Sequence, residues 1–443
     1  MTRKILLPIY LTGCLLGSTP VRAQQDQSAQ LVRRLQERVK RSPDDYAGYA
    51  ALGAAYLQKG RETADATEYE LARVALEKSL DLLSNGPAAA FPMTQMAALC
   101  MVEHRFQDAL TWAQNALAQG SGDPAPWALV GDALADMGDY AEAEEAYSKL
   151  QSLYGSEDTR LAMSYQQTSR LSYLRFIAGD TSAATQLLRK AVQMAIEMHM
   201  PAENIAWSEY QLGEQDFHTG DLVAAERAYQ AALDEYPGYY RALVGLAKLR
   251  AAQGRYGESI KLYKEAIAKV PYPEFAAALG DIYQKIGQSQ QAAKQYQLVE
   301  LIGRLNEINQ QIHNRDLALF YADHGLELDR SLALARKELE VRHDIYTWDV
   351  LAWSLFKNGK LREASEAITH ALQWGTKDAQ IFFHAGMIYE QLGDSAKSKD
   401  YLRRALETNP HFHVVFSELA IQALARLNSK PLATNSGEGG HAH

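Results

Sequence analysis

One stretch constrains this chain more than any other: residues 124–150, PAPWALVGDALADMGDYAEAEEAYSKL. Trp127, Val130 and Leu134 lie three and four apart, which places them on one face of a helix. Ala143, Tyr147 and Leu150 repeat that spacing after a break at Met137-Gly138-Asp139. Two short amphipathic helices joined by a tight turn follow from this pattern. Gly131 and Ala143 are small where the two helices must approach closely. A pair of this size cannot bury its apolar faces alone, so it needs neighbours of its own kind.

Those neighbours are present. The pattern Trp-x2-Val-Gly-x2-Leu, then Gly138, Tyr140, Ala143 and Tyr147, resembles the tetratricopeptide repeat, a helix-turn-helix unit of 34 residues. Leu212-Gly213, Gly220, Ala225, Tyr229, Ala232 and Pro237 match it again, as do Leu279-Gly280, Tyr283, Gly287, Ala292 and Tyr296. Trp348, Leu351-Ala352, Gly359, Ala364 and Ala371 form a further unit, and Gly386, Tyr389, Gly393, Leu402, Ala405 and Pro410 the last. First positions fall near 46, 90, 124, 165, 206, 240, 273, 311, 345 and 379. The two intervals of 41 add about two helical turns, which longer helices absorb without loss of phase. The interval of 44 is assigned to a polar insertion at 61–69.

The resemblance implies an all-α fold, an α-solenoid of about ten helix pairs in a right-handed superhelix. The array runs over 46–411. Residues 24–45 form an N-terminal capping helix, with Leu31, Leu35 and Val39 on its packed side. Residues 412–427 cap the other end, and the Gly-rich stretch 428–443 reads as a disordered tail. The cations Arg33, Arg34, Arg38, Lys40 and Arg41 read as a solvated face.

Residues 1–23 have a different character. Arg3-Lys4 precede an apolar run and a small-residue site at Val21-Arg22-Ala23, the layout of a secretory signal. Leu11-Thr12-Gly13-Cys14 also resembles a lipobox, which would place a lipid anchor on Cys14. The pattern favours cleavage after Ala23, and both readings export the chain, the first of them to the periplasm. The apolar run is too short to span a bilayer. The full chain of 443 residues carries a net charge of -9. Loss of Arg3, Lys4 and Arg22 leaves 42 basic against 54 acidic residues, or -12. Such a balance disfavours nucleic acid as a partner, because phosphate binding needs clustered cations. Cys100 sits among apolar helical positions and reads as a buried small hydrophobe.

No catalytic motif stands out: there is no phosphate loop, no H-E-x-x-H and no G-x-S-x-G. The chain reads as non-enzymatic, with no cofactor. In the resembled family, positions 2, 5, 9 and 12 of each first helix line the inner groove. Those positions here carry Tyr173 and Phe176, then Trp207, Tyr210 and Phe217, then Tyr346, Trp353 and Phe356, and finally Phe383. Aromatic residues anchor binding surfaces because they bury much area with little entropy to lose. Their alternative duty is packing inside a tight superhelix. A Lys/Asn carboxylate clamp is missing, with Arg241 and Lys248 as isolated cations. The leading expectation is therefore an exported scaffold that binds a protein or peptide, in the manner of proteins supporting envelope assembly or transport.

The alternative is copper or zinc handling. Met194, Met198, His199 and Met200 are soft ligands clustered before Pro201, which suit Cu(I). Gap-filling at a helix end explains the same residues. His411, His413, His441 and His443 belong to a histidine-rich end. Residues two apart, such as His411 and His413, do not share a helical face.

Overall fold

Glycine in the left-handed conformation ends one helix, and the aspartate after it begins the next. Gly179, Gly220 and Gly393 hold φ of 74°, 83° and 80°. Asp180, Asp221 and Asp394 then accept the backbone N–H of Ala183, Ala224 and Lys397. A side chain can hardly occupy such φ values, while a carboxylate satisfies donors that a helix start leaves open. Two-residue signals of this kind divide the chain into hairpins of helices.

The computed structural model describes residues 21–120, 122–150, 157–308 and 314–429. Among the described residues there is no strand. Helix α1 (Val21–Arg41) precedes ten pairs. These are α2 (Tyr46–Thr63) with α3 (Ala66–Asp81), α4 (Ala90–Val102) with α5 (Phe106–Ala118), and α6 (Ala125–Met137) with α7 (Tyr140–Lys149). Next come α8 (Glu157–Ile177) with α9 (Thr181–Glu197), α10 (Ala202–His218) with α11 (Leu222–Glu235), and α12 (Tyr240–Ala252) with α13 (Tyr256–Lys269). The rest are α14 (Pro273–Lys285) with α15 (Ser289–Ile308), α16 (Asn314–His324) with α17 (Leu328–Leu339), α18 (Ile345–Lys357) with α19 (Leu361–Leu372), and α20 (Ala379–Gln391) with α21 (Ser395–Thr408). Helix α22 (Phe416–Ser429) closes the stack. Each helix packs on its sequence neighbours, which defines an α-solenoid.

Several boundaries differ from expectation. Residues 61–69 are no separate insertion: they lengthen α2 and α3, which turn sharply at Ala64-Asp65. Helix α8 begins at Glu157 and α10 at Ala202, ahead of 165 and 206, so the added turns sit at their N-terminal ends. Helix α1 packs through Val32, Leu35 and Val39, while Leu31 is exposed. The closing helix starts at Phe416 because the buried His413 ring intervenes. Its Nδ1 accepts the N–H groups of Val415 and Phe416. Residues 1–20, where most of the expected signal segment and Cys14 fall, and residues 430–443, where most of the expected disordered tail falls, lie outside the described residues.

In the α6–α7, α10–α11 and α14–α15 pairs, a Tyr from the second helix lies on a Gly of the first, and Leu76 and Leu402 take that place in α2–α3 and α20–α21. A Cβ added at Gly131 would stand 2.2 Å from the Tyr147 ring, so no larger residue fits. The Tyr147 hydroxyl then donates to Asp132 at 3.0 Å. Tyr229 bonds Glu214 and Tyr296 bonds Asp281 in the same way. These acids face the next pair and find cations there: Arg170 grips Asp132 through two bonds of 2.6 and 2.7 Å, with both residues almost wholly buried. Polar rungs thus run through an otherwise apolar stack.

The solenoid winds tightly enough for distant pairs to touch. The α6–α7 turn meets the link before α18, where the His343 N–H donates to the Met137 carbonyl at 2.6 Å. The α8–α9 turn meets the link before α20 at Gly179 and Gly375. The α10–α11 turn meets the link before α22, where Asn409 donates to the Phe217 carbonyl at 2.8 Å. One hydrophobic cluster therefore contains Tyr147 and Tyr173 together with Trp353 and Phe383.

Candidate functional site: an inner aromatic cavity

The inner faces of α8, α10, α12 and α14 enclose a cavity of about 100 Å³. Tyr173 and Phe176 on α8, and Trp207, Tyr210 and Phe217 on α10, supply its aromatic wall. Their spacings of three and seven keep each set on one helical face. Helix α12 adds Arg241, Val244 and Lys248, and α14 adds Glu274 and Phe275. Phe412 and Asp378 come from the neighbouring winding of the solenoid.

The charges in this wall are ordered. Lys248 Nζ lies 2.6 Å from both carboxylate oxygens of Glu214 and 5.6 Å from the centre of the Phe217 ring. The Arg241 guanidinium lies 5.1 Å from the centre of the Tyr240 ring. Gln215 donates to the Ser172 hydroxyl at 2.9 Å, and Ser172 donates to the Ala184 carbonyl at 2.7 Å. Ser169 bonds the Gln166 carbonyl. Both serine hydroxyls that line the cavity are thus engaged with carbonyl groups. The surface offers apolar slots edged by fixed donors and acceptors, which suits an extended segment with apolar side chains.

Of the nine aromatics expected to line a groove, five share this cavity: Tyr173, Phe176, Trp207, Tyr210 and Phe217. The other four lie elsewhere. Trp353, 3% exposed, stacks on Phe356 at 4.8 Å and on His384 at 4.2 Å, and its indole N–H donates to Asp323 at 2.8 Å. Phe383 stacks on Phe416 of α22 at 5.1 Å. Tyr346 is buried in the same hydrophobic cluster and lies 5.9 Å from the Arg315 guanidinium. Helices α18, α20 and α22 are consecutive in the stack, so Trp353, Phe356, Phe383 and Phe416 pack against one another. Arg241 and Lys248, set apart in the sequence as isolated cations, are part of the cavity wall. Phe412 and Asp378 gave no sequence signal, because their place depends on how the solenoid winds.

The metal-ligand candidates do not converge. Met194, Met198 and Met200 pack in one apolar cluster with Tyr165 and Leu188, while His199 is exposed and bonds the Glu197 carbonyl. Among the described residues, no group of three or more His, Cys, Asp or Glu side chains is placed to hold a metal ion. His441 and His443 lie outside the described residues. Cys100 is buried, and burial pushes its thiol up to about 11. Among the described residues, no helix is long and apolar enough to cross a membrane.

Comparison with known proteins identifies the helix pairs. Residues 101–158, 217–282 and 379–412 each match the tetratricopeptide repeat. The chain therefore carries tetratricopeptide repeats. A curated relative, Protein CTR9 homolog of Arabidopsis thaliana, is 24% identical over 244 residues. That match covers 52% of this chain and 21% of the relative, so this chain spans about a fifth of its length. Among solved structures, the Cut9-Hcn1 hetero-tetramer of the APC/C is 12% identical at a TM-score of 0.36, over 91% of this chain and 94% of that one. A tetratricopeptide repeat protein from Parabacteroides merdae is 17% identical at 0.34, over 60% and 99%. MamA is 21% identical at 0.31, over 40% and 96%.

Proposed function

We propose that this protein is an exported, non-enzymatic scaffold that takes an extended segment of a protein partner into the cavity between α8 and α14, in the service of envelope assembly or transport. The observation that carries the reading is the wall of five aromatics beside the paired Glu214 and Lys248. Tetratricopeptide arrays serve chiefly as binding surfaces, and aromatic side chains in a concave pocket are the usual anchors of such binding. The export part rests on the basic, apolar and small-residue order of residues 1–23.

Crosslinking in the native host, followed by capture of the tagged chain, tests the binding part. A partner crosslinked near Trp207 and lost from the Tyr210→Ala and Trp207→Ala variants supports it. Equal recovery from wild type and both variants, with helicity intact, overturns it. Cell fractionation with N-terminal sequencing tests export. A mature chain beginning at Gln24, or at a lipidated Cys14, supports it, and an intact Met1 in the cytosol overturns it.

A further inference from the structure

Four arginines are buried among the described residues: Arg170, Arg241, Arg315 and Arg342. Three of them are paired. Arg170 holds Asp132, Arg315 holds Asp344 and Arg342 holds Glu338. Arg241, 8% exposed, makes no ion pair and no side-chain hydrogen bond with any described residue, and its guanidinium rests over the Tyr240 ring. A buried cation without a counter-charge is costly, which is why the other three are paired. Of the four, Arg241 alone lines the inner cavity.

Gln211 repeats the pattern. It is 8% exposed, lines the same cavity from α10, and its amide makes no hydrogen bond with any described residue. Folded proteins satisfy nearly all their buried polar groups. Two unsatisfied side chains on neighbouring inner helices of one cavity mark the place of a ligand's polar group. We infer that Arg241, with Gln211, is the polar anchor of the cavity, and that the partner segment carries an internal Asp or Glu beside an aromatic side chain. This inference rests on the binding reading above and names the partner's chemistry.

The sign of the ligand follows from the donors. Arg241 offers only N–H groups, in a planar fork that fits both oxygens of a carboxylate. The Tyr240 ring offsets part of the charge through its face and leaves the in-plane donors unfilled. Lys248 adds no second free cation, because Glu214 holds it with both carboxylate oxygens at 2.6 Å. The wall therefore takes one carboxylate. Trp207, Tyr210, Phe217 and Phe275 leave apolar slots for an aromatic side chain next to it.

The acid belongs inside the segment and not at its end. Phe217, Lys248, Tyr263, Ala278 and Phe412 line this cavity and also a second one of about 280 Å³. The second cavity runs on to Tyr256, Ile282 and Lys285, toward the C-terminal ends of α12 and α14. A chain with its carboxylate at Arg241, in the first turn of α12, has room to continue past Lys248.

The probe is a library of random peptides displayed on phage, each joined at its C-terminal end so that only side chains offer a carboxylate. It is cleared on Trp207→Ala, then selected on the full-length wild type and on Arg241→Met. Wild-type selection should enrich an Asp or Glu next to an aromatic residue, and selection on Arg241→Met should not. The best wild-type peptide, capped at both ends, should bind about ten-fold more tightly than the same peptide with its acid changed to the amide. Arg241→Met should erase that difference without lowering the urea midpoint, because it removes a buried charge that nothing balances.

Equal affinity of the acid and amide peptides for wild type overturns the inference, and this comparison needs no variant. A lower midpoint in Arg241→Met with the acid preference intact leaves Arg241 a packing role and also overturns it. Tighter binding by a peptide cut to end in a free carboxylate at that position overturns the internal placement. The two readings fail separately. Partner capture lost in Trp207→Ala but unchanged in Arg241→Met leaves the cavity as the site and removes the anchor.

Discussion

The Tyr140 hydroxyl accepts a hydrogen bond from the backbone N–H of Ile345 at 3.1 Å, joining residues 205 apart in sequence. The same ring meets Trp374 edge-on at 5.2 Å. A repeat solenoid ordinarily gains its stability from nearest neighbours. Here the third helix pair also holds the link before the ninth. That contact makes the winding a fixed feature of the fold.

Gly138 tests this directly. Its φ is 98°, and an added Cβ would stand 2.6 Å from the His343 carbonyl carbon. Gly138→Ala therefore meets both backbone strain and the next winding, and should cost about 2–4 kcal/mol. Gly254 has φ of 73° with nothing within 4 Å, so Gly254→Ala should cost only the backbone part, about 1–2 kcal/mol. Urea unfolding of both variants measures the difference. Equal losses would show that the contact between windings contributes nothing.

The pair of Asp132 and Arg170 gives a second prediction. Both are about 1% exposed, and Tyr147 shares the Asp132 carboxylate. Asp132→Ala leaves a buried guanidinium without its counter-charge and should cost about 3–5 kcal/mol. Adding Arg170→Leu should recover part of that loss, since an apolar pair avoids the desolvation cost. A double-mutant cycle read by denaturant unfolding measures the coupling. Additive losses would contradict it.

Glu62 gives a pH dependence. It is 8% exposed, accepts bonds from Ser28 and Gln58, and burial pushes its carboxyl up to about 7, with Glu203 nearby adding to the effect. The unfolded chain returns it to the ordinary carboxylate range. The folded state then holds the proton that the unfolded state releases, so this contribution is full below the ordinary carboxylate range and is lost as pH rises from there through about 7. The loss amounts to roughly 2–3 kcal/mol. Glu62→Gln imitates the protonated carboxyl. It should match wild type below the carboxylate range and exceed it at pH 8, and parallel pH profiles would refute this.

Local periodicity carried the pairs. Five first helices, α2, α12, α14, α18 and α20, begin where the spacing of Gly, Tyr and Ala places them, because each signal lies within one hairpin, and α4 begins at 90 as expected although the helices of its pair have neither Gly nor Tyr. Polar 61–69 misled, because it forms the adjoining ends of two long helices in which the polar residues Glu62 and Glu68 are buried. The cavity was half legible. Trp207 and Tyr210 could be placed by their helical positions, but Phe412 could not, since its neighbour Phe217 is set by superhelical winding. Trp353 is closed in by the adjacent units, through Asp323, His384 and Phe416. Nothing local distinguishes a ring that faces a cavity from one that meets α22.

Trp353 and Tyr210 should accordingly separate stability from binding. Trp353→Phe keeps an aromatic ring against Phe356 and His384 but removes the donor to Asp323. A buried acceptor left without its partner costs about 1–3 kcal/mol, so the unfolding midpoint should fall. Partner affinity should stay unchanged, because the ring does not line the cavity. Tyr210 is half-buried in the cavity wall and lies 6.2 Å from Tyr229. Tyr210→Phe keeps that packing and removes only a hydroxyl, so stability should move little, while Tyr210→Ala should weaken binding by about 2 kcal/mol. Titration calorimetry with the crosslinked partner, beside urea unfolding, reads both quantities. A loss of affinity in Trp353→Phe at unchanged stability would place the binding surface at α18 and α20 instead.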